Sequence, residues 1–165
     1  MRDALRVGEG VIIRQPGGDQ QLESNKQAYA TEIVNSAAFV SRFPTALVAT
    51  QYVDALFSSA MVTPTAAERQ AAIDAFGAGG TAGRVAALRS VAESASVTRS
   101  EFQAAFVLLQ YYGYLRRNPT DQPDGNNGGY QFWLNKLNSF GGDFIQAEMV
   151  KAFITSDEYR NRFAP

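Results

Sequence analysis

The 165-residue chain contains no cysteine and no histidine. Disulfides, thiolate nucleophiles and nearly all zinc, copper and iron sites are therefore excluded. Ser-His-Asp catalysis and imidazole general bases are excluded as well. A catalytic site would have to use carboxylates, Lys, Tyr or Ser. A metal would have to be a hard cation held by oxygen. Zero cysteine fits any redox compartment. A basic excess is also missing, since 15 Lys and Arg face 16 Asp and Glu, a formal net charge of −1. Neither the electrostatic footprint of a nucleic-acid binder nor a polybasic membrane patch is present. No apolar run reaches the roughly 18 residues of a membrane span. The opening "MRDALRVGEGVIIRQPGG" lacks the apolar core of a signal peptide. That fits a cytoplasmic protein or a piece of a longer chain.

Hydrophobic residues are nevertheless plentiful at 45 %, with 11 Phe and 7 Tyr but a single Trp. Such a chain can bury a real core. Residues 1–19 read as an N-terminal arm, with a short extended run at Val11–Ile13 closed by the turn signal "QPGGD". Residues 20–165 read as one all-α domain. Leu22, Tyr29, Ile33 and Val34 mark the buried stripe of its first helix. Thr45 is placed to cap a helix carrying Val48, Tyr52, Ala55 and Leu56 inward. Thr65 and Glu68 have capping-box spacing. "GAGG" stops that helix, and Thr81 is placed to open the next, with Val85, Leu88 and Ala92 inward. Thr98 and Glu101 repeat the capping box before "FQAAFVLLQYYGYL". That segment is apolar nearly all round, so it is expected at the centre of the core. Tyr130, Trp133, Leu137 and Phe140 share a helical stripe, as do Ile145, Met149, Ala152 and Phe153 behind Asp143.

A motif recurs. "EIVNSAAFVSRF" aligns with "AFITSDEYRNRF", and "RSVAESASVTRSEF" is a looser third copy. Ser36, Ser94 and Ser156 head these corners at spacings of 58 and 62 residues. Each serine can cap a new helical turn. Arg42 and Arg162 close to the C-terminal ends of these turns suit the helix dipole. The endings frame two helical repeat units, about 45–102 and 103–163.

The loop "RRNPTDQPDGNNGGYQFW" holds the candidate site. Asp124, Asn126 and Gly128 place oxygen groups at alternating positions, as the first half of a calcium loop does, and Asp121 adds a second carboxylate. Gly129 falls at loop position six, but position twelve is Asn135 instead of a bidentate carboxylate. Asp121, Asp124, Asn126 and Gly128 are thus a half-satisfied, weak calcium site. The simpler reading of the same residues is an inter-helix turn, with Asn127 as a helix cap. Trp133 with Tyr130 and Phe132 is either a sugar-stacking platform or core, and Phe132, off the Trp133 stripe, is expected at a partner surface. Glu148, Asp143, Asp157 and Glu158 lie at helix starts or solvent faces, which argues against glycoside hydrolysis. "GAGGTAGR" has neither the Lys-Ser/Thr nor the preceding strand of a P-loop.

The stretch "YGYLRRNPTDQPDGNNGGYQFWLNKLNS" with "EMVKAFITSDEYRNRF" resembles the bacterial domain-of-unknown-function family DUF four-two-one-four. The resemblance rests on Leu115, Arg117, Pro123, Asp124, Gly128 or Gly129, Phe132, Trp133, Leu137, Ser156, Glu158 and Tyr159, and covers roughly 103–163. Residues 45–102 lack the Pro-Asp loop and the Trp and would be a degenerate copy. A more distant similarity runs to the linker domains of phycobilisomes. The resemblance implies an all-α, non-enzymatic module of long secreted or surface-attached bacterial proteins, often beside adhesion-type or calcium-binding modules. It also implies scaffolding, with a protein partner or neighbouring domains of the same chain, and no bilin, since no cysteine could hold one. The rival expectation is a calcium-stabilised adhesion or carbohydrate-binding module.

Overall fold

A computed structural model describes residues 2–163. The fold is all-α, with no strand among the described residues. By contact density the chain divides into two compact units, Met1–Thr98 and Arg99–Pro165. None of the described helices is long and apolar enough to cross a membrane.

The first unit contains α1 (Arg2–Val7), α2 (Gly18–Asn35), α3 (Ala37–Arg42), α4 (Ala49–Ser59), α5 (Ala66–Phe76) and α6 (Gly80–Ala92). The start of α7 (Ala95–Gln110) also belongs to it. The expected arm is thus helical over Arg2–Val7, and the Val11–Ile13 run is irregular, with Ile12 and Ile13 exposed. Tyr52, Val53, Leu56 and Phe57 of α4 form the centre, against Phe43, Ala72, Phe76, Ala87 and Val91. Tyr52 meets Phe43 edge-on at 6.1 Å and Phe76 at 5.6 Å.

Arg84 is the unexpected member of this core. It is buried, its Nη2 donates to the Phe43 carbonyl at 2.6 Å, and its Nη1 donates to the Pro44 carbonyl at 3.2 Å. Its guanidinium lies 4.3 Å from the centre of the Tyr52 ring. The Tyr52 hydroxyl in turn donates to the Arg84 carbonyl at 3.1 Å. Burial pushes that phenol up to about 12. The arginine gathers the carbonyls that follow α3, and α4 begins only at Ala49 after Val48, not at Thr45. Likewise α6 starts at Gly80 behind an N-cap at Gly79, two residues ahead of the expected Thr81 cap. Gly79 and Gly80 both take a positive φ, 82° and 65°, and close approach explains Gly83, where a Cβ would lie 2.0 Å from the Phe76 carbonyl oxygen. Only a residue without a side chain lets α6 cross the end of α5 there.

The Thr65–Glu68 capping box forms as expected, with Thr65 N–H donating to Glu68 at 2.8 Å. Glu68 also accepts from the Ser96 N–H at 2.8 Å and the Ser96 hydroxyl at 2.7 Å, so one carboxylate serves the first turns of α5 and α7. The second expected box does not form. α7 starts at Ala95, earlier than Thr98, because Ser94 has already capped it.

The three serine corners share one geometry. Ser36, Ser94 and Ser156 each donate a hydroxyl to the carbonyl three residues back, Ile33, Val91 and Phe153, at 2.8 Å. Each accepts from the N–H three residues on, Phe39, Val97 and Tyr159, at 3.3, 3.4 and 3.1 Å. One hydroxyl thus closes the outgoing helix and opens the next.

The second unit contains the rest of α7, a π-helical turn (Tyr111–Leu115), α8 (Gly128–Ser139), α9 (Met149–Thr155) and α10 (Asp157–Phe163). Its core is Val107, Tyr111, Leu115, Leu137, Ala147, Met149 and Phe153. The expectation that α7 is buried all round is corrected, since Phe102 is 69 % and Leu109 62 % exposed. Phe140 and Ile145, expected inward, are exposed too. Asp143 accepts from the Ile145 and Gln146 N–H groups but caps only a turn, and α9 begins at Met149.

Two outcomes test the corners and the shared carboxylate. Ser36→Ala and Ser156→Ala should each destabilise by about 1 kcal/mol in urea unfolding. Hydrogen bonds from Ser96 and Thr65 hold the Glu68 carboxyl at about 2, below its ordinary 4.5. Its contribution is therefore complete above pH 4.5 and is lost as pH falls towards 2. Glu68→Gln should flatten the melting temperature's pH dependence across that window, and an unchanged profile would contradict this.

Candidate functional site

The second unit collects its polar chemistry around Arg117. α7 widens into the π-helical turn and ends at Arg116, which takes the left-handed conformation at φ 48°. The reversal lets the Arg117 N–H donate back to the Tyr111 carbonyl at 3.4 Å. It also turns the Arg117 side chain inward, where only 5 % of it is exposed. The guanidinium lies 5.0 Å from the centre of the Tyr111 ring.

Every edge of this guanidinium is used. Nε and Nη2 donate to the two Glu158 oxygens at 2.6 and 3.0 Å, a fork-to-fork pair. Nη2 also donates to Asp124 Oδ2 at 2.7 Å. Nη1 donates to the carbonyls of Asn118 and Asp121 at 3.1 and 3.2 Å. The two carboxylates raise the arginine's pKa still further above its ordinary value, Glu158 most of all. Arg162 adds a second donor to Glu158 at 3.3 Å. Arg117 therefore joins the end of α7, the 118–127 loop and α10.

The loop residues expected to bind calcium have partners in the fold. Asp124 is taken by Arg117. Asp121 accepts from the Asn118 N–H at 2.8 Å and from its side-chain amide at 3.2 Å. Asn126 accepts from the Gly128 N–H at 2.9 Å. The Asp121, Asp124 and Asn126 side chains thus each have a different partner, although Arg117 also holds the Asp121 carbonyl. No cluster of three acidic, Cys or His side chains suited to a metal occurs among the described residues. The expected Asn127 cap is corrected: its side chain makes no capping bond, its φ is 63°, and Asn126 does the capping instead.

The three aromatic residues of the loop exit diverge. The Tyr130 hydroxyl donates to the Ala104 carbonyl at 3.2 Å. Trp133 is part-buried on Phe153, 5.4 Å between ring centres, with Lys136 5.1 Å from its own ring centre. Phe132 is 59 % exposed, as its position off the stripe implied, and meets Trp133 edge-on. They form no common platform.

A cavity of about 200 Å³ opens beside this network. Arg117, Asp124 and Glu158 form its polar wall, and Tyr111, Trp133 and Phe153 its aromatic wall. Gly129 also lines it, and a Cβ there would lie 2.5 Å from the Tyr111 hydroxyl oxygen and 2.9 Å from Asp124 Oδ2. Sequence reasoning singled out Asp124 and Trp133 but missed Tyr111 as a site residue. Its signal was the spacing of six residues from Tyr111 to Arg117, which the π-helical turn converts into contact.

No protein-family model matches the chain, and no curated protein and no solved structure matches it significantly.

Removing Arg117 would leave the part-buried Asp124 without its cation, Glu158 with Arg162 alone, and the Asn118 and Asp121 carbonyls with only their backbone donors. Arg117→Met should destabilise the protein by about 3–5 kcal/mol. Arg117→Lys keeps the charge but loses the fork, and should recover less than half of that. Urea unfolding followed by circular dichroism reads both, and equal stability of the two variants would contradict the fork-based account.

Proposed function

We propose that this chain is a non-enzymatic protein-interaction module, a scaffold or spacer within a larger bacterial extracellular or surface protein. The bacterial and extracellular setting comes from the resemblance to the DUF four-two-one-four family carried by residues 103–163. The interaction role is supported by one observation, an apolar stripe along α7 and the π-helical turn that is mostly uncovered among the described residues. Phe102, Phe106, Leu109 and Tyr112 follow one another at i, i+4, i+7 and i+10, which places them on one helical face. Phe102, Leu109 and Tyr112 are exposed, 69, 62 and 47 % respectively. Phe106 stacks on Phe102 at 6.4 Å and lies 5.1 Å from Phe144, which widens the stripe towards exposed Ile145.

No charged side chain interrupts this face. Exposed aromatic and aliphatic groups in a contiguous row are what a protein partner desolvates, and they rarely persist on a surface without one. The occupant this face fits is a helix of a neighbouring domain or scaffold protein, presenting its own apolar stripe into the spacing of α7.

Phe102→Asp combined with Leu109→Asp should leave the melting temperature within about 2 °C, since neither side chain is buried. The same pair should abolish capture of the native partner by the wild-type domain, or of adjoining domains of the longer chain. Light scattering and pull-down that show only an inert monomer for the wild type would defeat the interaction reading.

A further inference from the structure

The cavity beside Arg117 has one polar group that the fold does not use. Tyr111 is 2 % exposed, yet its hydroxyl has no hydrogen-bond partner among the described residues. The ring is held by the core, edge-on to Phe153 at 5.3 Å and under the Arg117 guanidinium. The hydroxyl oxygen abuts Gly129, where a Cβ would come within 2.5 Å of it, and both residues line the cavity. The ring is buried but the hydroxyl faces the cavity, where no side chain or carbonyl of the fold pairs with it. A ligand hydroxyl in the cavity would take that place. Burial, with Asp124 next, pushes the phenol up to about 12, so it stays a donor at any physiological pH.

The other groups fix the class of ligand. Asp124 bonds Arg117 through Oδ2 only, which leaves Oδ1 open as an acceptor. Asp124 and Glu158 are balanced by Arg117 and Arg162, which bond them, so the site has no net charge to draw an ion. Trp133 and Phe153 supply an apolar wall opposite the polar one. One face for C–H groups, one edge for hydroxyls, no net charge and about 200 Å³ of space describe a single ring with several hydroxyl groups.

We propose that this cavity is a binding site for one neutral saccharide ring, with its apolar face on Trp133 and its hydroxyls on Tyr111, Asp124 and Glu158. The site is independent of the α7 stripe, because Phe102, Phe106, Leu109 and Tyr112 do not line it. Either reading can fail alone.

Trp133 is the only tryptophan in the chain, so intrinsic fluorescence reports on the cavity directly. The full chain would be titrated with glucose, galactose, mannose and N-acetylglucosamine, and with glucuronic acid and glucosamine as charged counterparts. Oligosaccharides ending in whichever sugar binds would then distinguish a free sugar from a chain end. The expected result is a saturable change with at least one neutral sugar, and weaker binding of its charged counterparts. Tyr111→Phe removes the hydroxyl and no hydrogen bond of the fold, so it should melt with the wild type and bind about 3- to 10-fold more weakly. Gly129→Ala should block the cavity. No saturable change with any neutral sugar, preference for a charged one, or equal binding by Tyr111→Phe would each overturn the proposal.

Discussion

The second unit depends on a single buried cation. Arg117 reaches the end of α7, the loop that follows and the last helix together. A guanidinium suits this place because its donors point outward in a plane and can serve carbonyls and carboxylates at once. A lysine could neutralise the same charge but could not hold three chain segments in register. Everything near it follows from that anchoring: the inward turn after the π-helical segment, the closed loop, and a cavity whose polar wall is made of ion-paired groups.

The first unit uses a related device. Arg84 stacks on Tyr52 as Arg117 stacks on Tyr111, and both gather backbone carbonyls that no helix can satisfy. The difference lies in compensation. Arg117 has two carboxylates, whereas Arg84 has only carbonyls and the tyrosine ring, and its Nε has no partner. Aromatic rings are a favourable neighbour for a desolvated guanidinium, which accounts for the tyrosine beneath each. The cavity is found beside the arginine with carboxylates, where acceptor lone pairs are left over.

Much of the helical scaffold was legible in the residues. The serine corners were visible as a recurring Ser with an apolar or aromatic residue three places on, and all three form the same pair of hydrogen bonds. The Thr65–Glu68 box was legible for the same reason: capping is local and its partners are three residues apart. The Thr98–Glu101 box failed because an equally good cap, Ser94, lies closer to the preceding helix. The Gly79–Gly80 pair displaced Thr81 because the chain turns into α6 through two residues of positive φ, which glycine adopts without strain. The burial of α7 was misjudged because composition shows that a helix is apolar on many sides, but not how many neighbours are available to cover them.

The sequence by itself determined the fold class, the helix corners and the exclusion of cysteine and histidine chemistry, because these rest on local hydrogen bonds and on residue inventory. It also marked the 116–133 loop as the place where polar groups concentrate. Only the tertiary structure decided what those groups do. Arg117 and Glu158 are 41 residues apart in the chain and 2.6 Å apart in space, and no periodicity encodes such a pairing. The same guanidinium bonds Asp124 at 2.7 Å and lies 5.0 Å from the centre of the Tyr111 ring, two further placements that the sequence alone does not give.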